Sequence, residues 1–206
     1  FGGDVTGTTV FDEGAEDVTL VYNGSAAQTI TGTINSDGGD EEGNLKVTNT
    51  TGTTFVSAVG KASNGALALI DIDGASTFSG ASESTVFTVD ADTTFTGAVT
   101  ANTSFTADSS AAITLSAASD LSLATMTTGT LTADALLTTS DLVNTAGKVY
   151  LNVKDNEMGA GKLSMGSGAE LHIGKGLVSE DNIYSSDDSA GEGDFNAAAK
   201  IYMPSN

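Results

Sequence analysis

A short internal repeat constrains the fold of this chain more than any other feature of its sequence. The segment TFSGA at residues 77–81 recurs 17 residues later as TFTGA at residues 94–98. A related triplet, TLS, stands at 114–116, and TLT follows 16 residues later at 130–132. Two half-step echoes, VFT at 86–88 and SFT at 104–106, lie between them. A period of 16 to 20 residues is typical of stacked supersecondary units, of which a β-helix coil is one.

The alternation within each repeat predicts which side chains face inward. Side chains point to opposite faces along a strand, so Phe78, Phe95, Leu115 and Leu131 are predicted to face the core and the flanking Thr and Ser to face solvent. The sequence therefore predicts an all-β, elongated, parallel β-solenoid of short coils, with an antiparallel sandwich of coincidental spacing as the alternative. The predicted strands are 18–22, 28–34, 44–48, 53–59, 67–72, 85–89, 113–115, 121–123, 149–153, 163–165 and 171–173.

The composition changes near residue 145 and predicts two segments. All 30 Thr lie between Thr6 and Thr145. We therefore expect a Thr-rich solenoid at 1–145 and a Thr-free, β-rich segment at 146–206 that continues or caps it, since terminal coils differ from interior ones. A short helix is predicted near the C-terminus at 194–201, with Asp194 as its N-cap. Residues 133–143 are the other place where a short helix is expected.

The charge balance excludes several classes of partner. Seven Lys, no Arg and 27 acidic residues give a formal charge of −20. Nucleic-acid binding is not expected, because affinity for phosphates comes from Lys and Arg. Binding to an anionic membrane surface is disfavoured as well, because the chain itself is strongly negative. No apolar run approaches the roughly 20 residues of a transmembrane segment.

The order of motifs along the first two thirds of the chain resembles a known class of protein. It runs QTITGTI at 28–34, GNLKVTN at 43–49, TTFVSAVG at 53–60 and LALIDIDGASTFSG at 67–80. Over residues 25–135 the pattern resembles the β-solenoid passenger regions of bacterial cell-surface proteins, of the autotransporter or rickettsial surface-layer-like type. The resemblance implies surface coverage, adhesion or assembly, and not catalysis.

Acidic pairs are the candidate metal ligands. Residues i and i+2 of a strand share a face, and the two pairs predicted on strands are 19 residues apart, about one coil, so stacked carboxylates would repel unless a cation lay among them. Calcium suits oxygen-only ligands and is the cofactor expected if any is bound. Solvated turn carboxylates are the alternative at each place. The candidate ligands are Asp71 with Asp73, Asp90 with Asp92, and Asp37 with Asp40.

No catalytic or cofactor-binding residue is predicted. Glycoside hydrolysis needs two positioned carboxylates, which any acidic chain can supply, but there is no Trp to stack on a sugar and no Arg. His172 lies between Leu171 and Ile173 and is expected to face outward as an ordinary strand residue, since no Gly-x-Ser-x-Gly motif accompanies it. Thr-x-Thr triplets raise an ice-binding alternative, although the triplets vary between Thr and Ser.

The expected function is therefore structural. The prediction is a subunit of an extracellular or cell-surface assembly, such as a surface layer, a filament or an adhesive fibre, that works by self-association. The alternative is a monomeric adhesin or passenger domain that binds a surface ligand or polysaccharide. Residues 1–10 and 197–203 are predicted to cap the solenoid or to form head-to-tail contacts, because the open edges of a sheet template pairing. So acidic a subunit should need salt or divalent cations to assemble side by side.

Overall fold

A computed structural model describes residues 1–12, 18–37, 42–60, 65–153, 157–158, 163–174 and 200–202. Within these ranges the chain forms short strands and no helix. The strands are β1 (Thr9–Phe11), β2 (Thr19–Tyr22), β3 (Gln28–Ile30), β4 (Ile34–Ser36), β5 (Asn44–Val47), β6 (Thr53–Phe55), β7 (Leu67–Ile72), β8 (Ser76–Phe78), β9 (Ser82–Val89), β10 (Thr93–Phe95), β11 (Val99–Ala107), β12 (Ala112–Leu115), β13 (Ser119–Met126), β14 (Thr130–Ala133), β15 (Leu137–Asn144), β16 (Lys148–Leu151), β17 (Glu157–Met158), β18 (Leu163–Met165), β19 (Glu170–Ile173) and β20 (Lys200–Tyr202).

The strands stack into a parallel β-solenoid, which confirms the predicted fold class. Sheet A runs β3, β6, β8, β10, β12, β14, β16, β19, β20, and sheet B runs β2, β5, β7, β9, β11, β13, β15, with β17 and β18 both paired to β15. A third, two-stranded pair joins β1 to β4. From β8 to β15, each coil has one short strand of three or four residues in sheet A and one long strand of eight or nine residues in sheet B. The register of the long strand β11 with both β9 and β13 shifts after Ala101.

The register confirms the first two steps of the predicted repeat and corrects the third. Thr77 pairs with Thr94, and Thr94 pairs with Thr114. Thr114 then pairs with Thr132, so Leu131 lies beside Ile113 and not beside Leu115. The predicted step was wrong by two residues because a two-residue slip leaves the inward and outward alternation of a strand unchanged.

The core is a narrow column of apolar side chains between the sheets. Phe78, Phe95, Leu115 and Leu131 are all fully buried, as the alternation predicted. The ring centroids of Phe55 and Phe78 lie 4.6 Å apart, and those of Phe78 and Phe95 lie 5.0 Å apart, in stacked geometry. Stacked rings of this kind add to the stabilisation that burial alone provides. Because Phe55, Phe78 and Phe95 stack in successive coils, the same residue recurs at the same point of each repeat, and the repeat can be recognised in the sequence.

Glycines at the corners let successive coils approach closely. A Cβ on Gly97 would lie 2.2 Å from the carbonyl oxygen of Gly80, and one on Gly32 would lie 1.5 Å from that of Gly7. A side chain at either corner would therefore displace the backbone of the coil beneath it. The corner at Gly32 also divides the predicted strand 28–34 into β3 and β4.

The solenoid continues past the change in composition. Strand β16, after residue 145, pairs with β14 before it, in sheet A. The helix predicted at 133–143 is wrong, because residues 137–143 lie in β15. Of the helix predicted at 194–201, residues 194–199 lie outside the described residues, and Lys200 and Ile201 lie in a strand, β20. The buried residues of β15 are Leu137, Thr139, Leu142 and Asn144, and since two of them are polar and one step is irregular, the strand period is hidden in the sequence.

The described residues of the two predicted end segments lie at opposite ends of the stack. Val5 bridges Ile30, β1 pairs with β4, and the ring of Phe1 stacks on Tyr22 at 5.7 Å. Of residues 197–203, only β20 lies within the described ranges, where it pairs with β19. Capping or head-to-tail contact at these ends stays a prediction.

Candidate functional site

One column of threonines runs along the outer face of sheet A. Register pairs successive strands β3, β6, β8, β10, β12 and β14 so that each contributes one outward Thr to the column. Outward neighbours in parallel strands stand about 4.8 Å apart, so the hydroxyl and methyl groups form a regular array. We call this column the Thr row; it consists of Thr29, Thr54, Thr77, Thr94, Thr114 and Thr132.

A shallow groove of about 360 Å³ follows one side of the Thr row. Its lining includes the residues two positions before four Thr of the row, which are small at Gly52, Ala75 and Ala112. The Thr side chains therefore stand as a ridge beside a furrow. Asp92 lies in the same furrow, and its Oδ1 accepts a hydrogen bond of 2.8 Å from the backbone N–H of Ala112.

The face that carries the Thr row has little charge in a chain of net charge −20. The six strands that contribute to the Thr row contain no charged residue, and Asp92 and Asp134 are the charged residues directly before or after them. Sheet B differs. Its strands β5, β7, β9, β13 and β15 each contain a charged residue, such as Lys46, Asp71 and Asp120. The acidic groups of the described chain are thus distributed unevenly around the solenoid.

At the C-terminal end of sheet A the same column changes from threonine to aromatic residues. Tyr150, His172 and Tyr202 follow Thr132 in register. Their rings stack face to face, with centroids 4.3 Å apart in both pairs and interplanar angles of 20° and 10°. Because each ring covers the face of the next, this column joins three strands through their outward side chains.

A charged cluster flanks the aromatic column. Nε2 of His172 lies 3.0 Å from Oε2 of Glu170 and donates a hydrogen bond to it. Nζ of Lys148 lies 3.4 Å from the same oxygen. The hydrogen bond from His172, followed by the positive charge of Lys148, lowers the pKa of Glu170 below its ordinary value. His172 faces outward, as the alternation predicted, and its contacts are with these neighbours.

A lysine takes the position between the first predicted pair of metal ligands. Nζ of Lys46 forms ion pairs with Oδ2 of Asp71 and, at 2.7 Å, with Oδ2 of Asp73. The hydrogen bond to Asp71 and then the one to Asp73 raise the pKa of Lys46 above its ordinary value. The ammonium group thus supplies a positive charge at the place where the sequence predicted a cation.

The second pair does not stack on the first as predicted. Asp71 lies beside Thr88, because the coil here is 17 residues long and not 19. Strand β9 ends at Val89 and β10 begins at Thr93, so Asp90 and Asp92 lie on either side of a corner and not on one strand. Asp90 Oδ1 accepts a hydrogen bond of 3.3 Å from the N–H of Asp108. Both carboxylates therefore bind backbone groups of the next coil.

The third predicted pair is only partly described. Asp37 is exposed at the end of β4, where its N–H donates to the carbonyl of Phe11, and Asp40 lies outside the described residues. Across the described ranges no three His, Cys, Asp or Glu side chains converge in a way that would hold a metal ion. Calcium binding stays a prediction. A fall in melting temperature on adding a chelator would support it, and an unchanged melting curve would contradict it.

The sequence pattern revealed the repeat but not the continuous Thr row. The row follows the observed register, in which coils of different length bring Thr29, Thr54 and Thr132 into line with Thr77 and Thr94. The predicted strands contain Thr29, Thr54 and Thr114, whereas Thr77, Thr94 and Thr132 lie in the repeat but in no predicted strand, so the sequence did not connect all six. Comparison with protein-family models, curated proteins and solved structures gave no match. No helix within the described ranges is long and apolar enough to cross a membrane.

Proposed function

We propose that this chain is a structural subunit of an extracellular assembly and associates with further copies side by side through the face that carries the Thr row. The observation that carries the proposal is the low charge of this face in a chain of net charge −20. Two such chains repel one another, and approach through the charged faces requires strong screening. The outer face of sheet A is where this repulsion is smallest. The extracellular location rests on the resemblance in sequence pattern alone.

The shape of this face also favours pairing with a copy of itself. The Thr row is a ridge, and Gly52, Ala75, Asp92 and Ala112 form the furrow beside it. A two-fold axis parallel to the solenoid axis places the ridge of each copy over the furrow of the other. Flat parallel sheets with identical stacked side chains form tightly interdigitated contacts of this kind. An interface that uses the same patch on both copies is isologous, which is the commonest arrangement in homodimers.

Sedimentation velocity and electron microscopy of the purified chain test this proposal. We expect concentration-dependent dimers or larger assemblies, and we expect them to increase with ionic strength, because salt screens the repulsion between acidic chains. A chain that stays monomeric at high concentration from low to high salt, with or without divalent cations, would contradict side-by-side association.

The Thr row also favours a second candidate function, ice binding. A regular array of hydroxyl and methyl groups on a flat sheet can order water, and here the row is continuous through six strands, which the varying Thr-x-Thr triplets did not predict. The outward positions two residues after each Thr of the row are less uniform, with Val56, Ser79 and Thr96 among them. Thermal hysteresis in a dilute, monomeric solution would support ice binding over association, and its absence would exclude this candidate.

A further inference from the structure

The edge of β19 receives strand β20 through matched positions. Register places Lys200 beside Glu170, Ile201 beside Leu171 and Tyr202 beside His172. The pairing is parallel, and the N–H of Lys200 donates a hydrogen bond of 2.9 Å to the carbonyl of Ala169. Each residue of β20 therefore has a partner on β19 of complementary character: opposite charge, apolar, and aromatic.

The outward contacts are the specific part of this match. The ring of Tyr202 covers that of His172 at 4.3 Å and 10°, closer to parallel than the Tyr150–His172 pair below it. The positive charge of Lys200 is one of the causes that lower the pKa of Glu170. A strand with a cation, an apolar residue and an aromatic residue in this order satisfies all three positions.

Burial contributes little to holding β20 in place. All three of its residues are exposed, with Ile201 38% and Tyr202 42% accessible to solvent. The neighbouring strands differ, since Val149 of β16 and Leu171 of β19 are fully buried. A three-residue strand held by backbone hydrogen bonds and outward contacts, without a buried side chain, belongs to the least stable part of a structure.

We propose that the edge of β19 is a recognition site for a strand of the pattern Lys–apolar–Tyr, and that residues 200–202 of a second copy bind there when the chain's own β20 is released. Addition of a strand to a sheet edge gives affinity through main-chain hydrogen bonds and specificity through alternate side chains. Exchange of an identical element between copies is a low-cost route to association. Exchange between copies rests on the proposed self-association; the recognition site itself does not.

A peptide-binding measurement on the full-length chain tests the site. Lys200→Ser with Tyr202→Ser weakens the chain's own β20 and leaves β19 intact. We measure, by fluorescence anisotropy, how this variant binds a labelled peptide of residues 197–206, AAAKIYMPSN, and a control peptide with the same two serines, AAASISMPSN. We expect the first peptide to bind about tenfold or more tightly than the control, a difference of about 1.4 kcal/mol. Adding His172→Ser to the variant should remove this preference.

Equal binding of the two peptides, or no binding by a variant whose melting curve matches that of the unmodified chain, would overturn the proposal. If the variant does not fold, the unmodified chain is used with excess peptide labelled at its tyrosine. Nuclear Overhauser contacts between that tyrosine and the ring of His172 are then expected, and their absence contradicts the site. Both measurements use dilute, monomeric protein, so they can succeed even if the face that carries the Thr row does not associate.

Discussion

Tyr22 is a buried residue whose polar group is not satisfied. Its side chain is fully buried against Phe1 and Phe55, and its hydroxyl has no hydrogen-bond partner among the described residues. Burial raises the pKa of Tyr22 to about 12. A buried donor without a partner loses its hydration and gains nothing in return.

Tyr22→Phe is therefore expected to stabilise the chain. The ring contacts are retained and the unpaired hydroxyl is removed, so we expect the free energy of unfolding to rise by about 1 kcal/mol. Chemical denaturation monitored by circular dichroism measures this. Tyr150→Phe, on the outer face, serves as the control and should leave the stability unchanged; a fall in stability for Tyr22→Phe would show that its hydroxyl has a partner.

Lys46 holds two carboxylates together on sheet B, and Lys46→Met removes that charge while keeping most of the apolar stem. We expect a loss of about 1 kcal/mol at low ionic strength, because the ion pair is partly exposed, and a smaller loss in high salt. Since the pKa of Lys46 is raised, its contribution is complete below the ordinary lysine pKa of 10.5 and is lost as the pH rises above it. Equal losses at low and high salt would contradict an electrostatic role.

At the level of the strands, alternation predicts more than spacing does. The inward positions Phe78, Phe95, Leu115 and Leu131 follow from the strand period of two, and all four are buried. The partner of Leu131 does not follow, because a shift of two residues preserves every inward position. Register is fixed by the length of each corner, and the separation of paired residues varies along this chain from 17 residues, between Asp71 and Thr88, to 30 residues, between Glu170 and Lys200.

The candidate site was predicted less well than the fold for the same reason. Asp90 and Asp92 satisfy the i, i+2 spacing of a shared face, but the corner after Val89 directs them to different surroundings. The partner of Asp71 and Asp73 is Lys46, 25 residues away from Asp71, which a search among neighbouring acidic residues does not consider. The Thr row is likewise a property of register and not of a fixed period.

The C-terminal coils are expected to become less stable as the pH falls. The pKa of Glu170 is lowered, mainly by the hydrogen bond from His172, so its contribution is present above the ordinary glutamate pKa of 4.5 and is lost as the pH falls below it. We expect the amide signals of Leu171 and Ile201 in nuclear magnetic resonance spectra to shift between pH 6 and pH 3 as β20 detaches. In Glu170→Gln the same signals should change little over this range, and an identical pH response in both proteins would contradict this role.

The whole molecule presents faces of unequal charge. Sheet B carries Lys46, Asp71 and further acidic residues, whereas the six strands of the Thr row contain no charged residue and have Asp4, Asp92 and Asp134 beside them. A solenoid repeats each outward position once per coil, so a small difference in one coil becomes a surface property over six. We propose that copies associate through the face with the Thr row, where the charge is lowest.

Sedimentation velocity of two matched double variants tests this claim most directly. Thr77→Asp with Thr114→Asp places two charges on the Thr row, one strand apart from Thr94 on either side. Thr88→Asp with Thr125→Asp places the same two charges on the outer face of sheet B, on either side of Thr106. Both variants have the same net charge, so general repulsion is equal, and melting curves establish that both remain folded. We predict that the first variant is monomeric under conditions in which the second associates like the unmodified chain; equal association of the two variants would contradict the claim.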